Sequence, residues 1–342
     1  MPSPSSSPTP SPTPVARSFA ASVPPPNDLL TDPAALTQSL LLALLFLLLA
    51  AFPGQLFNKT LEENYDEVAG WFARGGRAVA GVRQALARFW KRRSGVLTFV
   101  ALSAVLYGFL SPDFGPTFES MAALVGILAG LAVVIATFEL PKKFVQTRVL
   151  GDRGRLAVQP LTIFVAIACV FISRVADFQP GYLYGLVAGW AFAAPLGLRD
   201  EGKAAAWTAV WMLIVALSAW IALPIAEATF AGQPLVLTAL AAGLATVFVG
   251  GLEGLLFELV PLRFLRGQAL MAWRRGLWAV LFLAAGFAFA HILLTTTSGY
   301  LGSTRLSPLA SAVILFVGFG IASVLFWGYF RFRRTPRVAT EG

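Results

Sequence analysis

Apolar residues gather along the chain into long runs at roughly 34–53, 95–112, 118–138, 161–178, 181–198, 204–225, 235–258, 276–295 and 308–330. Each run is near the about 17 to 25 residues that an α-helix needs to cross a hydrocarbon core. Inside a bilayer the backbone must satisfy its own hydrogen bonds, which leaves helices as the simplest spanning element. The pattern predicts an all-α, polytopic transmembrane helix bundle of about nine spans.

Two polar stretches interrupt it. Residues 1–33 open with MPSPSSSPTPSPTP and continue through Pro24, Pro25 and Pro26, a composition that cannot bury a core. They read as a disordered Pro/Ser/Thr-rich tail ahead of the first span at 34–53. Within 54–94, Thr60-Leu61-Glu62-Glu63 has the spacing of a capping box and predicts a helix beginning there. Leu61, Tyr65, Val68 and Phe72, then Val79, Val82, Leu86 and Phe89 after Gly75-Gly76, form an apolar stripe at helical spacing. Such a segment lies in the headgroup plane or, through 58–93, docks a membrane or cytoplasmic protein partner. An eight-span core over 95–330 and a basic tail over 331–342 complete the chain.

Charge sets the orientation. Only 13% of the residues are charged and the mean hydropathy is +0.73, against about 25% charged in soluble domains. Of the 26 Lys and Arg residues, 23 fall in 54–94, 139–160, 199–203, 259–275 and 331–342, all on one side under the nine-span reading. The positive-inside rule then places the N-terminus outside and the C-terminus inside the plasma membrane. The net charge of +9 is a topology signal and a contact with the lipid bilayer, so no nucleic acid partner is expected.

One histidine and one cysteine narrow the chemistry. Neither an HExxH nor a CxxC pair exists, so no metal site and no cofactor are expected, and Cys169 has no intrachain disulfide partner. A serine hydrolase would need a serine near His291, and Ser298 lies at the end of the same helix, out of dyad geometry. No catalytic residue is assigned.

Ionisable groups within spans are costly and so need a reason. Arg174, Asp177, Glu227 and His291 fall in the outer third of their spans or at the outer interface, and Glu253 in the inner half, within Gly250-Gly251-Leu252-Glu253-Gly254. Together they are a candidate intramembrane polar site for a proton or anion. The alternative is an Arg174–Asp177 pair at i,i+3 with His291 hydrogen-bonded in the bundle. Glu139 and Glu258 stand at the inner boundary, where a helix C-terminus disfavours an anion, and Lys142, Lys143 and Arg263 are the expected partners. Gly181, Gly185 and Gly189, like Gly126 and Gly130, recur every fourth residue and predict close helix packing.

The inner-boundary motif repeats. Phe138-Glu139-Leu140-Pro141 echoes Phe257-Glu258-Leu259-Val260-Pro261, and Leu128-Ala129-Gly130-Leu131-Ala132 echoes Ala241-Ala242-Gly243-Leu244-Ala245. Gly181-Tyr182-Leu183 likewise matches Gly299-Tyr300-Leu301. The two copies predict a tandem repeat of four spans, 95–198 and 204–330, both running the same way through the membrane.

Phe52-Pro53-Gly54-Gln55-Leu56-Phe57-Asn58 and Thr60-Leu61-Glu62-Glu63-Asn64-Tyr65, with Phe257 to Phe264 much later, resemble the actinobacterial polytopic proteins called FGLLP-motif-containing membrane proteins. The resemblance covers about residues 50–330. The namesake motif here carries Glu258 in place of glycine and Val260 in place of a leucine. The family has no assigned activity, so the resemblance implies a compartment and a lineage without a reaction. Two functions remain open from the sequence: a cell-envelope scaffold or accessory subunit, and a secondary transporter using the intramembrane charges.

Overall fold

The computed structural model describes residues 23–29, 31–65, 67, 93–109, 111, 114–158, 167, 171, 188–263, 265–294 and 308–333. In chain order they form α1 (Pro33–Glu63), α2 (Arg93–Gly108), α3 (Phe118–Leu150), β1 (Arg155–Val158), β2 (Ala188–Ala191), α4 (Leu198–Phe230), α5 (Pro234–Glu258), α6 (Arg266–Trp273), α7 (Arg275–Leu293) and α8 (Pro308–Arg333). Helices α1, α3, α4, α5 and α7 are each long and apolar enough to cross a membrane. Helices α2 and α8 are apolar as well, and the whole fits a membrane-embedded helical bundle.

Helix α1 starts where its sequence is built to start one. Asp32 accepts a hydrogen bond from Ala35 N at 3.1 Å and Pro33 occupies the first turn, where a missing N–H costs nothing. The helix then runs through Pro53 to Glu63, and α3 and α4 run likewise through Pro141 and Pro224. The capping box expected at Thr60 does not form. That residue is inside α1, and its hydroxyl donates to Leu56 O at 2.8 Å, four residues back. The rest of the expected segment, 68–92, lies outside the described residues.

The tail is shorter than its composition suggests. Val23 is buried in the main core and Trp220 Nε1 donates to Pro24 O at 2.8 Å, so the chain docks on α4 before α1 begins. The run expected at 181–198 also departs from a helix. Residues 188–191 pair antiparallel with 155–158, Trp190 opposite Leu156 and Gly189 opposite Ala157. Polar side chains hold this stretch to the end of α3: Asp152 accepts from Ala193 N at 2.7 Å and buried Gln146 donates to Ala194 O at 2.7 Å. Pro195 and Gly197 then suit a connection better than a helix interior.

The core lies where α1, α4, α5 and α7 meet, around the fully buried Phe46, Met212, Leu252 and Phe282. Apolar side chains such as Leu48, Phe52, Val125 and Leu325 point outward, as a lipid-facing surface requires. Helices α3 and α5 lie side by side and parallel. A Cβ on Gly126 would meet Ala239 O at 1.9 Å, and one on Gly130 would meet Gly243 O at 2.6 Å, so only bare backbone fits between them. Thus Gly130 and Gly243, equivalent positions in the sequence echo, touch each other. The helices differ in one respect: α5 contains a π-helical turn at Thr246–Gly250.

Candidate functional site

The densest polar constellation sits at one end of the bundle, under the link between α5 and α7. Two side chains organise it. Arg266, the first residue of α6, donates from Nη1 to Phe138 O and from Nη2 to Glu139 Oε1. Its Nε lies 3.6 Å from Glu258 Oε2. Phe138 O also accepts from Thr208 at 3.3 Å, in the turn of α3 that Pro141 deprives of an N–H. One guanidinium therefore joins the interior of α3 near Pro141 and the last residue of α5 to α6. Burial alone would lower its pKa, but the charges of Glu258 and Glu139, aided by Glu201, outweigh that and raise it, so it remains a cation.

Arg266 reaches both echoed glutamates, a partner that the sequence-based choice of Lys142, Lys143 and Arg263 did not include. Arg263 instead lies 3.6 Å from Glu62 on the surface, and Lys142 sits over the Phe192 ring. Nor is Glu139 at a helix end, because α3 continues to Leu150, whereas Glu258 is the last residue of α5. The sequence signal available was modest: Arg266 opens the first helical stretch after the Pro261 turn, where a chain folding back would bring a cation under Glu258.

Asn58 is the second organiser. Its Nδ2 donates to Pro261 O at 2.6 Å and to Gln268 Oε1 at 3.3 Å, while Arg263 N donates to its Oδ1 at 2.8 Å. The amide thus mimics a strand edge and satisfies a buried turn that has no regular structure of its own. Gly54, one helical turn earlier, lets Pro261 in at 3.2 Å from where its Cβ would be, and Glu62, one turn later, meets Arg263. Trp278 Nε1 donates to Leu259 O at 2.8 Å, and Gly267 fits only without a Cβ, which would stand 2.2 Å from the same carbonyl. Glu258, Leu259 and Pro261 of the motif are therefore bound to α6, α7 and α1 in turn.

Deeper in the bundle, Glu253 is buried at 5% exposure one turn beyond the π-helical segment. One turn earlier, the Tyr107 hydroxyl packs 3.2 Å from the Cβ position of Gly250. Toward the other end, His291 is buried in a second π-helical turn, Phe289–Leu293. Its Nδ1 lies 3.1 Å from Ser39 Oγ and its ring stacks on Phe287. Ser39 Oγ also lies 2.8 Å from Ala35 O, which competes with the imidazole for the hydroxyl's one proton. The Ser39–His291 pair ties α7 to α1. Glu227 is exposed near the end of α4, and among the described residues no hydrogen bond or ion pair joins it to His291. Arg174, Asp177, Gly181 and Gly185 lie outside the described residues, and Gly189 is on β2 rather than on a helix.

Compared with known proteins, the chain matches no family model, no curated protein and no solved structure.

Proposed function

We propose that this integral membrane protein is a cell-envelope scaffold or accessory subunit of the plasma membrane, oriented N-out and C-in, that acts through partners. The observation carrying this reading is how its polar groups are used. Arg266, Glu139, Glu258 and Asn58 all fasten chain segments to one another, an investment in a fixed shape. The two stretches that carry the resemblance to the FGLLP-motif proteins meet at Gly54, Asn58 and Pro261, which supports reading them as one structural unit. The segment through 58–93 remains the proposed docking element for a protein partner.

A secondary transporter is the second reading, and one observation favours it. Both buried titratable groups deep in the bundle, Glu253 and His291, belong to or follow a π-helical turn, an irregularity that recurs at functional sites. One experiment separates the two. With Cys169 replaced by Ala, single cysteines at Leu252, Gly254 and Ile292 are probed with a membrane-impermeant thiol reagent from each side. Unreactive positions support the scaffold. Labelling from both sides that shifts with pH overturns it in favour of a transport path.

A further inference from the structure

Helix α3 is longer than a bilayer needs. Its 33 residues rise about 50 Å, at about 1.5 Å per residue, against a hydrocarbon core of about 30 Å. The apolar run ends at Phe138, so the last turns, 140–150, extend past the core at the Arg266 end of the bundle. Three physical features coincide on that extension. First, over residues 142–155 Lys142, Lys143, Arg148, Arg153 and Arg155 stand against one acid, Asp152, an excess of four positive charges. The Asp152 carboxylate is taken up by Gly154 N and Ala193 N, and Glu139 is bound to Arg266.

Second, the Phe144 ring stacks on Trp207 of α4, centroids 6.1 Å apart, and the Arg148 guanidinium lies over the same Phe144 ring at 4.9 Å. Ring contact uses the flat face of a guanidinium and leaves its N–H edge open. Among the described residues, no hydrogen bond or ion pair engages that edge. Third, Phe144 and Trp207 are exposed, and so are Leu140 and Trp211, which stand one turn nearer the bilayer centre on their own helices. From the end of the bundle inward, the surface therefore presents a guanidinium edge, then a stacked aromatic pair, then apolar side chains.

That order is the order of a phospholipid: phosphate, glycerol backbone, acyl chains. A phosphate accepts two parallel N–H bonds from one guanidinium, and aromatic side chains settle at the headgroup level. An ammonium-bearing headgroup meets an excess of positive charge here, whereas a headgroup with phosphate as its only charge is attracted by it. We infer that the Arg148–Phe144–Trp207 stack is a binding site for an anionic, phosphatidylglycerol-type phospholipid, its phosphate held by the N–H edge of Arg148 and its acyl chains lying along Leu140 and Trp211. The site rests on the chain being membrane-embedded and on neither the scaffold nor the transporter reading.

The test uses the full-length protein, delipidated in detergent and titrated with phosphatidylglycerol, phosphatidylcholine or phosphatidylethanolamine under native mass spectrometry. A cation near an anionic lipid surface contributes about fivefold in affinity, so one phosphatidylglycerol should bind at least roughly tenfold tighter than either other lipid. R148Q should weaken it by about fivefold or more. R148K keeps the charge but has neither a planar face for Phe144 nor a fork for two phosphate oxygens, and should weaken it by about threefold. K59Q, which removes a cation from the same end of the bundle but on α1, should bind as the wild type does. Phosphatidylglycerol with brominated acyl chains should quench tryptophan fluorescence, and W207F should lose part of that quenching. Thermal melts verify that each surface variant is folded. Equal affinity for the three lipids, wild-type binding by R148Q or R148K, a loss in K59Q as large as in R148Q, or unchanged quenching in W207F would each overturn the assignment.

Discussion

Replacing Arg266 with Met tests the account of the inner junction most directly. The side chain is 17% exposed, Glu139 only 6% and Glu258 22%. Removing the cation leaves Glu139 buried with its charge-assisted hydrogen bond gone and Phe138 O without one of its two donors. At 3.6 Å, Coulomb attraction between Arg266 and Glu258 is about 4 to 5 kcal/mol for an effective dielectric of about 20, before solvent at the more exposed Glu258 reduces it to a minor share. The Glu139 side dominates, and breaking a buried pair by removing one partner costs about 3 to 5 kcal/mol. R266M should therefore lower the midpoint of denaturation in a mild detergent by that equivalent. E139Q/R266M should regain about half of the loss, since a neutral amide no longer needs the cation, while E258Q alone should cost under about 1 kcal/mol. The readout is tryptophan fluorescence during denaturant titration, with Trp278 and Trp273 both next to the junction. A midpoint for R266M within about 0.5 kcal/mol of the wild type, or no recovery in the double variant, refutes the assignment of Arg266 as the shared partner.

Further outcomes follow from the same geometry. N58L should cost about 2 to 4 kcal/mol because it strands Pro261 O and Arg263 N, and hydrogen exchange should rise across 259–268 before other regions respond. Gly126→Ala should destabilise by about 1 to 3 kcal/mol because its new methyl meets the Ala239 carbonyl, whereas Gly276→Ala, with nothing within 4 Å, should be neutral or stabilising by up to about 1 kcal/mol. Backbone hydrogen bonds from Gly154 and Ala193 hold the Asp152 carboxyl below its usual pKa. The folded-state pKa being the lower one, this anchor is complete above the ordinary aspartate range and lost as pH falls through the depressed value. Protection of the Gly154 and Ala193 amides, taken relative to the intrinsic exchange rate at each pH, should be present at neutral pH, fall on acidification, and be absent throughout in D152A.

Helix positions were legible in the sequence wherever the bilayer writes a simple code, as in α1, α3, α4, α5 and α7, each of which overlaps an expected apolar run. Helix ends were less so. Apolar runs stop at the first polar cluster, but intrahelical hydrogen bonds do not, so α1 passes Pro53 and Thr60, and α3 passes Glu139 and Pro141. Pairings across the bundle were hidden because they depend on how the chain turns after Pro261, which brings Arg266 under two glutamates far apart in sequence. Glycine spacing predicted a close approach at Gly126 and Gly130 without naming its partner, which is α5, and the same spacing at Gly189 ends in a strand. Small residues permit a close approach without specifying which element makes it.

Helix directions add a constraint that residue counting lacks. Helix α7 runs against α1, with His291 beside Ser39 near the start of α1 and Gln55 beside Met271 near its end. Helix α4 runs against α5, since Met212 meets Gly251 and Trp220 stacks on Phe248. Helix α3 runs parallel to α5 and delivers the chain to β1 at the Arg266 end. Strand β2 pairs antiparallel with β1, and α4 leaves from that same end, its Gly202 against Trp273. With α8 parallel to α1, the start of α1 and the end of α8 lie at opposite ends of the bundle. Lys59, Lys142, Lys143, Lys203, Arg266, Arg275 and Arg331 all collect at the end where α1 and α8 finish, so among the described residues these cations lie on one side of the bundle, which is the kind of asymmetry the positive-inside rule reads.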